Sequence, residues 1–387
     1  MNLERFRSSP SGRLVRGGVD NFAYWAFAPN PLPPPLVMDL PLLHALSSAD
    51  RALGELAGLG RAVSNPHLLI RPFIRREAVL SSRIEGTQAG MAELYAYEAG
   101  HPPIDRSPAA EADVREVLNY VQALEYGLER LQTLPVSLRL LRELHERLMA
   151  GVRGERMTPG DFRRSQNWIG RPGCTLNDAD YVPPPVEEMS NALYALENYL
   201  HDGADYPPLI RLALIHYQFE AIHPFLDGNG RIGRLLIVLL LMHWELLPLP
   251  LLYLSAWFHE HRERYYDLLM RVSERGAWNE WVVFFLDGVS AQAGDAIRRA
   301  KQLQDLQIGW HEKLHAERGT GLMHGVVDML FRSPVMTASD VTKGRNVTHR
   351  TAMATLRRLV SLDILEETMG KQRQQQFVAN SIFRVVE

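Results

Sequence analysis

The sequence predicts an all-α protein with one small β-hairpin flap and a C-terminal domain of the winged helix-turn-helix type. Three observations lead to this fold class. Apolar residues recur every three or four positions from about residue 42 to 200, which is the period of amphipathic helices. Turn residues interrupt this period between 171 and 184. The last region, 320–387, ends in an alternating pattern typical of paired strands.

Length and composition indicate a globular protein of two or three domains. The chain has 387 residues, and one domain usually contains roughly 100 to 200. Hydrophobic residues make up 46% and charged residues 22%, as in ordinary globular proteins and unlike disordered chains. The 42 Lys and Arg residues are balanced by 45 Asp and Glu residues. This balance excludes a global basic field, although it does not exclude a basic patch in one domain.

Three features favour a cytoplasmic protein without membrane association. The single cysteine, Cys174, cannot form an internal disulfide, and the first residues lack the charged and then apolar pattern of a secretory signal. The most apolar stretch, Leu235–Met242, is too short to span a bilayer and is expected to be a buried helix.

Four regions are expected along the chain. Residues 1–40 are rich in Pro, Gly and Arg and have little periodicity, so they are expected to form a lightly tethered arm. Helical periodicity then defines an N-terminal helical region, 41–110, and a larger helical core, 111–315. Residues 320–387 form the fourth region.

One segment of the core is expected to leave the helical pattern. Residues 171–184, here called the flap, combine turn residues with two short extended pieces, which suits a hairpin on the surface. Helical periodicity resumes over 187–201 and 209–222, and another helix starts near Gly230.

The C-terminal region has the element order of a winged helix-turn-helix. Three short helices are expected at 325–331, 337–342 and 348–362. The alternating residues 364–378, with a turn near Gly370, are expected to form a two-stranded wing.

The third of these helices would be basic. Thr348 can cap its N-terminus, and Arg350, Arg357 and Arg358 would lie along it. This pattern favours DNA as a partner of residues 320–387. The alternative is a compact helical tail that serves packing or homodimerisation.

The segment His223–Arg234 carries the chemistry. It reads His-Pro-Phe-Leu-Asp-Gly-Asn-Gly-Arg-Ile-Gly-Arg and lies between two strongly apolar helices. Pro224 disfavours helical geometry at His223, so the first helix should end there and leave the imidazole at the mouth of a loop. Residues 228–230 can expose successive N–H groups beside a helix N-terminus, which together form a cradle for phosphate.

The other polar residues of the segment suit a magnesium polyphosphate. Arg231 and Arg234 are three apart, on one helical face beyond the cradle, where they can reach outer phosphates. Asp227 stands before the cradle, where a carboxylate can hold Mg²⁺ together with phosphate oxygens and water. Because histidine is largely uncharged at neutral pH, His223 can take a proton from an attacking hydroxyl. The segment therefore predicts phosphoryl or nucleotidyl transfer.

Each of these features is common by itself. A Gly-Asn-Gly turn is ordinary, a histidine before proline is usually structural, and helical arginines are usually solvated. Their joint spacing is more specific, because Arg231 and Arg234 directly precede Leu235–Leu241, an apolar and therefore interior helix. Unpaired arginines would be destabilising there.

The segment resembles the signature of the Fic family, His-Pro-Phe-x-Asp-Gly-Asn-Gly-Arg-x-Gly-Arg, and has every fixed residue of it. The resemblance extends to residues 160–170 before the flap, and to 252–255 and 264–266 after the signature. It covers about residues 40–310.

This resemblance implies an all-α Fic fold that transfers AMP from ATP to a Ser, Thr or Tyr hydroxyl of a protein, itself included, with release of pyrophosphate. His223 would be the base and Asp227 the Mg²⁺ ligand. The flap would dock the target protein as an added β-strand, and Glu260 would close the nucleotide pocket. The other nucleotide contacts would come from Gly228, Asn229, Gly230, Arg231, Ile232, Gly233 and Arg234.

A second resemblance implies autoinhibition. Ser81, Glu85 and Gly86, at the end of a helix expected from Leu68, match the inhibitory motif Ser/Thr-x-x-x-Glu-Gly/Asn of some family members. In those members the glutamate pairs with the second signature arginine, here Arg234, and displaces the γ-phosphate of ATP. Because an arginine cannot hold a carboxylate and a phosphate at once, Glu85 is expected to keep the enzyme mostly silent.

Two other functions stay open from the sequence. Residues 320–387 would allow a DNA-binding transcriptional regulator whose nucleotide site serves as a sensor. The cradle would also allow AMP removal, with Glu85 orienting a water, or the transfer of another phosphate-bearing group.

Overall fold

A computed structural model describes residues 1–18, 23–62, 66–100, 107–152, 157–202, 205–368 and 375–387. These residues are mostly helical with short antiparallel strands, which confirms the predicted all-α class. They form two compact units, the first made of Met1–Ala57 and Asn119–Ala293 and the second of Gly58–Leu118 and Gly294–Glu387. None of the helices in the described ranges is long and apolar enough to cross a membrane.

The described helices are, in chain order, α1 (Leu3–Phe6), α2 (Leu40–Ala62), α3 (His67–Ile84), α4 (Met91–Glu98), α5 (Pro108–Arg130), α6 (Leu138–Leu148), α7 (Val186–Asp202), α8 (Pro208–Ile222), α9 (Asn229–His243), α10 (Ser255–Glu260), α11 (Arg262–Arg275), α12 (Trp278–Ala316), α13 (Gly321–Leu330), α14 (Ala338–Arg345), α15 (His349–Ser361) and α16 (Asn380–Val386). The strands are β1 (Gly12–Gly17), β2 (Tyr24–Pro29), β3 (Val335–Met336), β4 (Glu366–Thr368) and β5 (Gln376–Val378). Helices α2, α5 and α12 contribute residues to both units. The predicted division into 1–40, 41–110, 111–315 and 320–387 stays a prediction.

The N-terminal residues contain a packed hairpin, where the sequence predicted a lightly tethered arm. Strands β1 and β2 pair antiparallel, with Gly12 opposite Pro29. Phe27 is fully buried, and its N–H donates to the carbonyl of Val182 at 2.9 Å. The difference arises because β2 finds its burial and its second hydrogen-bonding partner far along the chain, where local periodicity cannot reveal them.

Helices α8 and α9 lie in the centre of the first unit. Most of their residues are buried, so both helices are enclosed by the rest of the unit rather than buried along one face only. Helix α8 ends at Ile222, directly before the His223-Pro224 pair, as predicted, and α9 begins at Asn229. The loop 223–228 is therefore held between two interior helices.

The flap is less regular than a two-stranded hairpin. Ile169 pairs with Tyr181 in one antiparallel bridge, and a short 3₁₀ helix covers Leu176–Asp178 between them. Proline at 183–185 removes the N–H donors that a longer ladder needs. The pairing therefore stops at a single bridge.

The C-terminal part of the second unit contains the predicted helices and paired strands, with two additions. Helices α13, α14 and α15 are followed by β4 and β5, which pair antiparallel. Thr348 caps α15 as predicted, because its hydroxyl accepts from the N–H of Thr351 at 3.2 Å. The additions are α16 and β3, which gives the sheet order β3-β5-β4. The predicted turn near Gly370 lies outside the described residues.

Helix α3 carries the motif Ser81–Gly86 and belongs to the second unit. It ends at Ile84, and Glu85 follows as its cap. Gly86 has a φ of 107°, in the positive range that a glycine tolerates after a helix.

The second unit also brings α3 into contact with the C-terminal helix α16. Arg75 of α3 is buried and donates to both carboxylate oxygens of Glu98, at 2.9 and 2.7 Å. Tyr95 of α4 meets Phe383 of α16 edge-on, with 5.6 Å between the ring centroids. The last helix of the chain therefore packs on the helix that carries the motif.

Candidate active site

His223 lies at a sharp turn that takes the chain out of α8. Its φ of 49° and ψ of 62° are left-handed, which is unfavourable for a residue with a side chain. Its N–H donates to the carbonyl of Phe219 at 3.0 Å, and its Nδ1 lies 3.3 Å from the carbonyl oxygen of Glu220. When Nδ1 carries the proton for that contact, Nε2 is the basic nitrogen of the ring. The half-buried imidazole can thus accept a proton.

Two asparagine side chains fix the loop after His223. Asn229 accepts from the N–H of Phe225 and donates to its carbonyl, both at 2.8 Å. Asn167 donates to the carbonyls of His223 and Phe225, at 3.3 and 2.8 Å. Because each amide group satisfies two main-chain atoms, the loop keeps one conformation without regular secondary structure.

The ring of Phe225 anchors the same loop in the core. It is fully buried and stacks on His145, with 3.8 Å between the ring centroids. Nδ1 of His145 accepts from the N–H of Gly160 at 2.9 Å, so Nε2 carries the proton and donates to the carbonyl of Asp227 at 3.0 Å. Burial lowers the pKa of His145 from 6.5 to about 4, which keeps the ring neutral.

Gly228 caps the N-terminus of α9, where the phosphate cradle was predicted. Its φ is 77°, and a Cβ there would lie 3.0 Å from the sulfur of Met149, so both backbone and space favour glycine. The first N–H groups of a helix lack partners inside the helix. Together with the positive end of the helix dipole, they can bind a phosphate.

Asp227 stands beside this helix end with a half-exposed carboxylate. Its Oδ1 accepts from the N–H of Gly228 at 2.6 Å and lies 3.8 Å from the guanidinium of Arg231. Among the described residues, no group of three or more His, Cys, Asp or Glu side chains is arranged to hold a metal ion. A lone carboxylate suits Mg²⁺ when phosphate oxygens and water supply the other ligands. Asp227 therefore fits an ion that arrives with a nucleotide.

Arg231 and Arg234 are almost completely buried in the first turns of α9, with 3% and 2% of their surface exposed. Arg231 also contacts the sulfur of Met149 at 3.7 Å. Buried guanidinium groups are destabilising unless polar or negative groups surround them. A bound polyphosphate would add negative charge at this position, which fits the predicted phosphate clamps.

Ile232 and Gly233 have packing contacts that explain their place in the signature. Ile232 is fully buried, and its N–H donates to the carbonyl of Gly228 at 3.0 Å. A Cβ on Gly233 would clash with Oε1 of Glu220, so glycine lets α8 and α9 approach closely. Their predicted contacts with nucleotide stay a prediction.

A second neutral histidine, His216 of α8, contacts the main chain of α9. Nε2 of His216 lies 2.9 Å from the hydroxyl of Tyr265, and Nδ1 lies 3.3 Å from the carbonyl of Gly233. Burial, with a smaller contribution from Arg234, lowers the pKa of His216 from 6.5 to about 3. Neither His216 nor His145 was predicted as a site residue from the sequence. For His216, the available signal was a lone histidine inside an apolar helical run.

Arg163 is a further site residue to which the sequence analysis gave no role. It is 1% exposed, and its guanidinium donates to the carbonyls of His223 and Pro184. Both acceptors lie far along the chain, so spacing could not reveal the contact. The one available signal was its place in the segment 160–170, which resembles the family.

The first unit brings His223, Asp227 and the cradle together in one loop and one helix start. Glu260 is the exposed last residue of α10. Glu85 belongs to the second unit. The roles of Glu260 and Glu85 stay predictions.

Two family models match the chain. The Fic/DOC family N-terminal model matches residues 43–129. The Fic/DOC family model matches residues 135–241, which include the whole signature. Together the two models span about half of the chain.

Curated relatives match part of the chain. The chain is 30% identical over 175 residues to a protein adenylyltransferase Fic from Drosophila virilis, in a match that covers 44% of this chain and 32% of the relative. It is 32% identical over 154 residues to the protein of the same name from Aedes aegypti, with 39% and 27% covered. The match thus spans about a third of the length of these relatives.

Solved structures share the fold. A Fic family protein from Desulfovibrio desulfuricans G20 matches with a TM-score of 0.57 and 21% identity, over 90% of this chain and 98% of that one. A fragment of Fic-1 from C. elegans matches with a TM-score of 0.51 and 21% identity, over 67% and 74%. With both family models matched and the signature complete, the chain belongs to the Fic/DOC family.

Proposed function

We propose that this protein transfers AMP from ATP to a Ser, Thr or Tyr hydroxyl of a target protein and releases pyrophosphate. The observation that carries this proposal is the loop 223–228, which joins a fixed imidazole to a helix N-terminus with two buried arginines. A phosphate held at that helix end would lie beside a base. The names of the curated relatives, protein adenylyltransferase, support the same reaction.

In this reaction the target oxygen forms a bond to the α-phosphorus of ATP while the bond to the pyrophosphate oxygen breaks. His223 takes the proton of the hydroxyl, and the N–H groups of residues 229 and 230 stabilise the charge on the α-phosphate. The N–H of Gly228, which donates to Asp227 in this structure, would join them by turning to the phosphate. Arg231 and Arg234 hold the leaving phosphates. Asp227 would hold Mg²⁺, whose charge offsets that of the phosphates.

The flap is the proposed docking segment for the target. Residues 171–173 are exposed, whereas 181–184 are buried, and the carbonyl of Val182 already accepts from Phe27. An extended segment of the target would therefore add to the exposed part of the flap through main-chain hydrogen bonds.

Glu85 is proposed to act as a brake by pairing with Arg234 in place of a phosphate. Ser81 is fully buried, and Gly86 allows the chain to turn after α3, so the helix end that carries Glu85 is well defined.

A cytoplasmic location is proposed as well, because the single cysteine needs no oxidising compartment.

The reaction is tested with ATP labelled at the α-phosphate, by measuring transfer to the protein itself and to lysate proteins. We expect weak labelling by the unchanged protein and strong labelling by Glu85→Gly. Adding His223→Ala to Glu85→Gly should abolish labelling while ATP still binds. ATP labelled at the γ-phosphate is the control, since AMP transfer leaves that label in pyrophosphate. Label from the γ-phosphate, or undiminished transfer without His223, would contradict the proposal.

DNA binding is a second candidate function, favoured by the topology of the C-terminal residues. The order α13, β3, α14, α15, β4, β5, with the sheet order β3-β5-β4, supports the proposal that this part of the chain is a winged helix-turn-helix. Helix α15 would be the recognition helix, and its Arg350 and Arg357 are exposed. Arg358 pairs with Glu317 at 3.1 Å and is less available.

This second function is tested by the binding of the full chain to duplex DNA at increasing salt concentration. Binding should weaken steeply with salt, and Arg350→Ala with Arg357→Ala should reduce both affinity and salt dependence. Arg51→Ala, at an exposed position of α2, is the matched control. If the α15 variants bind DNA as tightly as the unchanged protein, α15 is excluded as the DNA-binding surface. A mass that rises with protein concentration, without DNA binding, would favour the homodimer alternative.

A further inference from the structure

Arg163 is among the largest side chains that the described part of the chain buries completely, with 1% of its surface exposed. Its Nε donates to the carbonyl of His223 at 3.0 Å, and its Nη2 donates to the carbonyl of Pro184 at 2.5 Å. Longer contacts reach the carbonyls of Ile222 at 3.5 Å and Ser165 at 3.4 Å. One guanidinium therefore joins the end of α8 to the end of the flap.

The acceptors in these four contacts are main-chain carbonyl oxygens, whereas a buried guanidinium is usually paired with a carboxylate. Burial lowers the pKa of Arg163 to about 10, and Tyr24 and Tyr181 offset part of that effect. The group is still charged at neutral pH. A planar cation with five N–H donors can hold several carbonyls in fixed directions, which no other side chain can do.

The two best-held carbonyls belong to the residues on which the proposed reaction depends. His223 supplies the base, and Pro184 closes the flap that would dock the target. We propose that Arg163 is a positioning residue: it fixes the left-handed backbone of His223 and ties the flap to it. The catalytic consequence rests on the proposed function, whereas the structural clamp does not.

The backbone geometry explains why such a clamp is needed. A left-handed conformation is unfavourable for a residue with a side chain, so His223 would relax toward an ordinary conformation if it were not held. That relaxation would turn the imidazole away from the cradle. The cation is also favoured at this place, because the carbonyl end of α8 is the negative end of the helix dipole. Loss of Arg163 should therefore slow the chemical step more than it weakens nucleotide binding.

The kinetic test uses Arg163→Gln and Arg163→Lys in the Glu85→Gly background. The glutamine variant should lower kcat for AMP transfer on the order of 100-fold, with little change in KM for ATP. The lysine variant keeps the charge and reaches fewer carbonyls, so its kcat should lie between that of Arg163→Gln and that of the Glu85→Gly parent. Millimolar guanidinium ion should restore part of kcat to Arg163→Ala. Arg142→Gln is the matched control, because Arg142 donates to the carbonyl of Gly160 in the same segment but is half exposed.

Amide hydrogen exchange tests the clamp without any need for activity. Arg163→Gln should accelerate exchange together at His223 and at the two amides around the flap bridge, Ile169 and Tyr181, whereas Arg142→Gln should not. Unchanged exchange, or a kcat equal to that of the control, would overturn the positioning role. Guanidinium that raises thermal stability without restoring kcat would also overturn it. If the Glu85→Gly protein transfers no AMP, but Arg163→Gln still accelerates exchange at these amides, the clamp is supported and the proposed function is refuted.

Discussion

At the residue scale, the candidate site is held by groups that keep one charge and one orientation. His145 holds the carbonyl of Asp227, and His216 lies against the carbonyl of Gly233. Both rings are buried and neutral, and buried polar groups with satisfied hydrogen bonds restrict the conformations of their neighbours. The loop that carries His223 is thus fixed by residues that do not titrate near neutral pH.

These two histidines predict a loss of stability in acid. Their folded-state pKa values are lowered from 6.5 to about 4 for His145 and about 3 for His216. Below pH 6.5 the unfolded chain binds protons before the folded chain does. The free energy of unfolding therefore has its full value above that pH. It decreases as the pH falls, by about 1.4 kcal/mol per pH unit for each histidine. Denaturant titrations between pH 7 and 4 measure it. His145→Gln should make the curve shallower, and an unchanged slope would contradict the assignment.

Gly228 gives a second prediction at this scale. Gly228→Ala should weaken ATP binding by about tenfold, because the left-handed φ disfavours a side chain and the new methyl group meets Met149. Calorimetric titration with ATP and Mg²⁺ measures the change. Gly173→Ala is the control, since Gly173 has a φ of 82° with open space around it. Equal affinities in both variants would argue against phosphate at the start of α9.

At the element scale, the helices around the site could be predicted and the supporting contacts could not. Pro224 and Gly228 mark the end of α8 and the start of α9 through local backbone preferences, which a sequence displays directly. The hairpin that contains Phe27 and the clamp made by Arg163 depend on partners distant in sequence. Periodicity and turn composition carry no information about such partners.

Helix α12 provides a prediction about packing. Gly309 lies in open space, so Gly309→Ala should stabilise the protein by about 0.5–1 kcal/mol. In the same helix, a Cβ on Gly288 would lie 2.6 Å from Cδ1 of Trp257, so Gly288→Ala should destabilise by about 1–3 kcal/mol. Thermal and chemical denaturation measure both variants. Changes of the same sign would contradict the packing of Trp257 on α12.

At the scale of the whole molecule, the second unit joins the motif helix α3 to the end of the chain. Phe383 of α16 packs on Tyr95, and α16 contacts α3. The proposed brake and the proposed DNA-binding surface thus belong to one unit.

This arrangement predicts that the C-terminal helix influences the brake. Phe383→Ala should lower the free energy of unfolding of the second unit by about 3 kcal/mol. It should also raise self-labelling with AMP in the otherwise unchanged protein. In the Glu85→Gly background it should give no further rise, because the brake is already absent. Tyr194→Ala, at an exposed ring of the first unit, is the control. If self-labelling rises equally in both backgrounds, Phe383 does not act through the Glu85 brake.

The most direct measurement is a crystal structure of Glu85→Gly with Mg²⁺ and an ATP analogue that cannot be cleaved between its α- and β-phosphates. We expect the α-phosphate to accept hydrogen bonds from N–H groups at the start of α9, with its phosphorus facing the imidazole of His223. The ion should lie at Asp227. A nucleotide bound elsewhere, or an imidazole turned away from the α-phosphate, would contradict the proposed mechanism.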